Sequence, residues 1–245
     1  QSRSSAASDV YKRQLSWSQP DVIEAKTADY EVVMDFSRVL RLFELYKQDD
    51  IDVSEKLFIT IEMFFLAPIN EIPEEDFQLI LEGLTQKIIG DNSREETVER
   101  DMKGNILEEE KKFYDFEEDA DYIFASFMQD YGIDLIKERE KSNYYWNKVQ
   151  SGKISLEKFR NHTMSWDKFN ALLTGLSETS KFRRVIEIRQ MEIPENATEK
   201  ERKEIKKAKS AVALKSDREK IEFEMMDLKE QREFMRRKEE ELNGQ

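Results

Sequence analysis

The sequence predicts a mainly α-helical protein: a helical domain that opens with a small N-terminal β-hairpin and closes with a long charged C-terminal helix. Three observations carry that expectation. Apolar side chains recur at three- and four-residue spacing through successive segments, and these segments start or stop at recognisable capping residues. Only 7 Gly and 4 Pro occur in 245 residues, too little turn material for a many-stranded sheet. The plentiful Glu, Lys, Leu, Ile and Arg favour helices. With 38% hydrophobic residues, including 15 Phe, 8 Tyr and 3 Trp, a core is available even though 38% of the chain is charged.

Residues 1–14 are excluded from the fold. The run from Ser4 to Gln14 reads as a translated transposase adapter from sequencing-library preparation. It brings Arg3, Lys12 and Arg13 against Asp9, so the net charge of −13 becomes −15 without these residues. The domain proper is expected over 15–198.

Val22 to Ala25 and Tyr30 to Met34 are short β-prone runs around Lys26-Thr27-Ala28-Asp29, which predicts a hairpin. From Asp35 the period changes. Phe36, Val39, Leu40, Phe43 and Tyr46 form one helix face behind an Asp35 cap. Asp52 and Glu55 have capping-box spacing ahead of Leu57, Phe58, Ile61, Phe64 and Phe65, predicting a second helix that is nearly all core. Pro73, the acidic Glu74, Glu75 and Asp76, and the stripe Phe77, Ile80, Leu81, Leu84 and Ile88 before Gly90 define a third.

Residues 91–112 are polar and lack an apolar stripe, so they are predicted to be a charged linker. Asp115 and Glu118 then repeat the capping-box spacing before Ile123, Phe124, Phe127 and Tyr131, and Gly132 stands where a left-handed stop belongs. The stretch Lys137 to Met164 is charged and aromatic, with two short helices expected around Tyr144 to Val149 and Leu156 to Phe159. Trp166, Phe169, Leu172, Leu173 and Leu176 make the next face. Phe182, Val185, Ile186 and Arg189 make another after a capping Ser177, and Pro194 closes the core.

Residues 199–245 are expected to form one long charged helix, with 14 Lys and Arg against 13 Asp and Glu. Within it Leu214, Ile221, Leu228, Met235 and Leu242 fall at heptad spacing, while the complementary column Ala211, Arg218, Met225, Arg232 and Glu239 is poor. One good column serves either a coiled coil with another chain, such as a homo-oligomer, or packing on the protein's own domain.

Several function classes lose support. The glycines are scattered, so no phosphate-cradling loop can be built, and there is no Cys. His162, read as a loop residue beside a turn, is the only histidine, which removes paired-His metal sites. Glu117, Glu118, Asp119 and Asp121 lack the EF-hand pattern and are read as negative charge at a helix start. Asn161-His162-Thr163 and Asn196-Ala197-Thr198 match a glycosylation sequon only by chance. The apolar stretch Leu57 to Ile69 is interrupted and too short for a membrane. The acidic charge opposes nucleic acid and anionic lipid as partners. No enzyme activity and no cofactor is expected. Trp146, Trp166 and Phe169 are the candidate partner-binding residues, because Trp is enriched at binding hot spots. Core packing is the competing role for Trp166, and Trp146 lies in a polar segment where either role fits.

The run Phe113 to Phe127, continued by Tyr131-Gly132-Ile133-Asp134-Leu135, resembles the bacteriophage family named for gene product fifteen. So does Ser165-Trp166-Asp167-Lys168-Phe169 through Gly175-Leu176 to Lys181-Phe182, and Asp35-Phe36 to Phe65 looks like that family's N-terminal helices. The similarity spans roughly residues 20–195. Members are encoded among tail-morphogenesis genes close to the tape-measure gene. The resemblance therefore implies a tail assembly chaperone that works in the cytoplasm of the infected bacterial host, with the tape-measure protein and other tail proteins as partners. The alternative it implies is a structural tail or connector component that oligomerises through its C-terminal helix. Two departures stand out: residues 137–164 look like an insertion, and the charged tail is long.

Overall fold

A computed structural model describes residues 21–89, 113–226 and 228–243. The adapter-like residues 1–14 and the expected linker 91–112 lie outside the described residues. Eleven α-helices and one two-stranded antiparallel hairpin are described, so the fold class is mainly α with an N-terminal hairpin. The chain divides into two compact units.

The first unit holds the described residues up to 89 together with 132–175. Strands β1 (Asp21–Glu24) and β2 (Asp29–Val32) pair with Ile23 opposite Tyr30. Helix α1 (Phe36–Tyr46) starts where Asp35 accepts from the Ser37 amide at 3.0 Å, as expected. Its buried face is Phe36, Val39, Leu42 and Leu45, and Tyr46 is exposed. The expected face was rotated because Arg38 also turns inward, onto the Met63 carbonyl at 2.6 Å. Helix α2 (Val53–Phe64) is capped by Asp52. Only its second half, with Thr60, Ile61, Met63 and Phe64, is buried, whereas Val53 and Phe58 face solvent. The expectation of a nearly all-core helix is corrected on that point.

Two short 3₁₀ turns lead into α3 (Phe77–Ile89), whose Ile80, Leu84 and Ile88 are buried. Gly83 on this helix leaves room for Ile23 of β1, whose Cγ2 would lie 2.7 Å from an added Cβ. Asp76 does more than place charge at a helix start. Its carboxylate accepts from the Lys26 amide at 2.9 Å, the Thr27 amide at 3.2 Å and the Tyr30 hydroxyl at 2.9 Å, and from the Thr27 hydroxyl. The hairpin turn is thereby latched to the start of α3.

Burial works to raise the Asp76 pKa, but the hydrogen bonds from Thr27, Tyr30 and Lys26 outweigh it and hold the carboxyl below its ordinary value. A depressed folded pKa means the latch is fully present above the unfolded value, about 4, and is lost as pH falls through the folded value. Hydrogen exchange of residues 21–32 in an acid titration is expected to show loss of protection in that window. Asp76→Asn should show weak protection at every pH; an unchanged titration in Asp76→Asn would refute the latch.

Helices α5 (Leu135–Gln150), α6 (Leu156–His162) and α7 (Trp166–Thr174) complete the first unit. Residues 137–164, expected as two short helices, thus form one long helix and one short helix. Gly152 turns between them with φ +68°. The α5–α6 pair is built into the core: Trp146, Val149 and Phe159 pack with Val33. The extended segment after β2 is bonded on both sides, by the Val33 amide to the Phe64 carbonyl at 2.9 Å and the Trp166 amide to the Met34 carbonyl at 2.8 Å.

The second unit comprises the described parts of 113–131 and 176–243. Its frame is α4 (Ala120–Tyr131) against α8 (Lys181–Gln190). Ser180, not the expected Ser177, caps α8 by accepting from the Arg183 amide, and the buried Ser126 hydroxyl accepts from the Phe182 amide at 2.9 Å. Ser177 instead binds the Asp130 carboxylate. Residues 199–243 form three helices rather than one: α9 (Glu199–Ala211), α10 (Lys215–Met225) and α11 (Leu228–Asn243).

The first break has a local cause. Ala213 and Leu214 are buried, and the backbone groups released by leaving the helix find partners. The Val212 carbonyl accepts from Arg189 Nε at 2.6 Å, and the Lys215 amide donates to Glu118 Oε2 at 2.9 Å. Beyond it α10 and α11 run antiparallel. Phe223 meets Phe234 at 5.6 Å between ring centroids, and Lys238 pairs with Glu219.

Candidate functional site

The three aromatic residues put forward as partner anchors are buried within the first unit. Trp146 is 7% exposed, Trp166 3% and Phe169 0%. Phe36, Phe169 and Trp166 form a stack with centroid spacings of 5.3 and 5.5 Å. Trp166 Nε1 donates to the Ile88 carbonyl at 2.8 Å, closing the end of α3. Trp146 lies under the Arg38 guanidinium, 3.8 Å from the ring centroid. Both indoles are thus occupied by contacts inside the first unit.

The buried Arg38, Asp35 and Ser142 form a polar group with the half-buried Ser37. Burial pushes the Asp35 carboxyl above its ordinary value against the opposing Ser37, Ser142 and Arg38 contacts. The same burial lowers Arg38 to about 10, with Asp35 acting in the opposite direction. Sequence reading missed this group, because Arg38 sits one residue before Val39 and no apolar pattern marks it as inward.

The heptad positions are not collinear. Leu214 is buried and lies at the break before α10, Ile221 is half-buried on α10, and Met235 is exposed on α11. Leu228 and Leu242 fall on α11, but their side chains lie outside the described residues. A seam running from 214 to 242 needs one continuous helix, and the two breaks remove it.

The acidic run 115–121 organises the second unit. Asp115 accepts from the Glu117 and Glu118 amides, and Asp119 is fully buried against Arg189. Arg189 Nη1 and Nη2 reach the two Asp119 oxygens at 2.6 and 2.8 Å, Nη1 also reaches the Phe113 carbonyl, and Nε the Val212 carbonyl. Reading Arg189 as part of an apolar face located it correctly on the inward side, but its partner lay 70 residues away and left no sequence signal.

His162 ends α6 rather than lying in a loop. Its Nδ1 is 2.7 Å from the Lys158 carbonyl and its ring lies 4.7 Å from Tyr145. It borders a groove of about 230 Å³ with Glu138, Lys141, Asn161 and Lys168. Among the described residues no group of three His, Asp or Glu is placed to hold a metal ion, and no helix is long and apolar enough to cross a membrane. What the surface does offer is apolar side chains in the open. Tyr46, Val53 and Phe58 are exposed in the first unit, and Met128, Met191 and Met235 in the second.

Fold and surface define a helical protein whose open features are apolar and charged side chains on helix faces. The family model described as "Bacteriophage Gp15 protein" matches residues 18–151 and 144–214, so the chain belongs to that bacteriophage family. The two matches overlap at residues 144–151, at the end of α5, and the second continues through α6. No curated protein and no solved structure matches the chain.

Proposed function

We propose that this phage protein is a tail assembly chaperone that binds the tape-measure protein and acts by binding rather than catalysis, in the cytoplasm of the infected host. The observation that carries the reading is the set of exposed methionines Met128, Met191 and Met235 on the helical second unit. Unbranched, polarisable thioethers adapt to varied apolar partners and suit capture of long amphipathic helices. A tape-measure protein offers such helices before tail subunits enclose it. The net charge of −13 keeps a complex of many copies soluble. Family membership supports a phage role in general terms.

Co-expression with the tape-measure protein of the same phage is expected to raise that protein's soluble yield and to give a complex on size-exclusion chromatography. Met128→Glu with Met235→Glu should weaken capture and leave circular dichroism unchanged. No complex with the wild-type chain would overturn the proposal. Presence of the chain in purified virions would move it to the structural alternative, a tail or connector component.

A further inference from the structure

Charge is distributed very unevenly within the first unit. Residues 44–62 hold six Asp and Glu, all exposed, against two Lys. Residues 137–168 hold eight Lys and Arg against four Asp and Glu, in a chain whose net charge is −13. An acidic edge and a basic edge therefore occur in the same unit.

Both edges carry an ordered stripe. On α5, Lys141, Tyr144 and Lys148 follow one another at i, i+3 and i+7, the spacing of one helix face, and Lys137 extends that face by a turn. Tyr144 is 54% exposed, and the Lys148 ammonium lies 4.2 Å from its ring centroid. Lys141 pairs with the half-buried Glu138 of the preceding turn at 3.1 Å, a near-surface i,i+3 pair of the kind that contributes little and that a partner can replace. The groove bordered by His162 and Lys168 also takes in Lys141, so further positive charge adjoins the stripe. On α2, Glu55, Phe58 and Glu62 repeat the same i, i+3, i+7 spacing with opposite charge. Both glutamates are exposed, and Phe58 is 45% exposed.

Each stripe spans about 10 Å along its helix, from the rise per residue. Laid side by side, the two place carboxylates against ammonium groups at both ends and an aromatic ring against an aromatic ring near the middle. Among the described residues no ion pair joins α2 to α5, so the match is not used within one copy.

We propose that the α5 stripe Lys141-Tyr144-Lys148 binds the α2 stripe Glu55-Phe58-Glu62 of a second copy of this chain. One surface meets a different one, so the contact either closes reciprocally as an isologous pair of copies or adds copies head to tail as a heterologous chain. A second copy fits better than nucleic acid because the complementary acidic stripe is present in the chain itself and the overall charge repels a polyanion. The contact uses neither the methionines of the second unit nor the tail heptads, and it does not depend on the tape-measure reading.

The test is a concentration series of the full chain by light scattering and sedimentation at low and high salt. Wild type is expected to self-associate, with affinity falling at least about tenfold in high salt as screening grows. K141E/K148E alone and E55K/E62K alone should each remain monomeric, weakened at least about a hundredfold by like charges facing each other, with unchanged circular dichroism. An equimolar mixture of the two variants should assemble again, because it restores every opposite-charge pairing in either geometry. Rescue of this kind cannot come from misfolded protein. A monomeric wild type at all concentrations overturns the proposal. So does assembly that survives both reversals, or a mixture that stays monomeric. Oligonucleotide binding by monomeric wild type that K141E/K148E abolishes would assign the stripe to nucleic acid instead.

Discussion

Arg189→Ala is expected to destabilise the second unit by about 3–5 kcal/mol, the usual cost of leaving one member of a buried ion pair without its partner. The reason lies in what Arg189 holds together. Asp119 is fully buried, and its two oxygens meet two nitrogens of the guanidinium. The same side chain reaches the Phe113 and Val212 carbonyls, so it ties together α4, α8 and the break that ends α9. Removing it takes the counter-charge from a buried carboxylate that keeps the Asp115 amide at 3.0 Å, and takes the Arg189 donor from two carbonyls at once. Hydrogen exchange within α4 and α8 should accelerate by roughly two to three and a half orders of magnitude, following that free energy. Trp146 and Trp166 lie in the first unit, so exchange is a more direct readout here than indole fluorescence.

The companion variants separate charge from shape. Arg189→Lys keeps the positive charge but cannot reproduce the two-pronged contact with Asp119 and the added carbonyl bonds, so it should recover only part of the loss. Replacing both partners, Asp119→Leu with Arg189→Met, should cost less than Arg189→Ala alone, because no unpaired charge remains inside. Arg189→Ala with wild-type exchange rates would show that the pair contributes nothing to the unit.

How far the sequence could be read follows from which interactions are local. Caps and periodic faces are local, and the hairpin, the Asp35 and Asp52 caps and the Gly132 stop all formed as expected, the last at φ +65°. Helix α5 was expected to be shorter because its buried face, Ser142, Trp146 and Val149, is narrow and set among charges, giving a faint apolar signal. The break in the tail was legible in principle: Ala211-Val212-Ala213-Leu214 is an apolar run in an otherwise charged segment, and it turns inward where a heptad reading kept it on a straight helix. The Asp119–Arg189 pair, the Asp76 latch and the Arg38 group were not legible. Each joins residues remote in sequence, and an isolated charge carries no period to show that it points inward. The same argument explains why the burial of the aromatics was not legible. Trp is enriched at hot spots and in cores alike, so residue type alone could not separate the two roles.

Trp166→Ala is expected to cost the first unit about 3–5 kcal/mol, the range for removing a large buried aromatic. The indole fills space beside Phe169 and Phe43, and its Nε1 satisfies the carbonyl of Ile88 in the last turn of α3. Trp166→Phe retains most of the ring packing but removes the donor, so its cost should be the smaller penalty of an unsatisfied buried carbonyl, about 1–3 kcal/mol. The ranking, alanine worse than phenylalanine and both worse than wild type, is what a core residue produces in urea unfolding followed by circular dichroism and in exchange protection of α1, α3 and α7. A partner anchor would behave differently: either substitution would lower binding to the proposed tape-measure partner while leaving unfolding and exchange unchanged. Unchanged stability in Trp166→Ala would therefore return Trp166 to the list of binding residues and contradict the burial described for it. The predicted outcome, loss of protection in the first unit, is instead in keeping with proposed client recognition through the exposed methionines of the second unit.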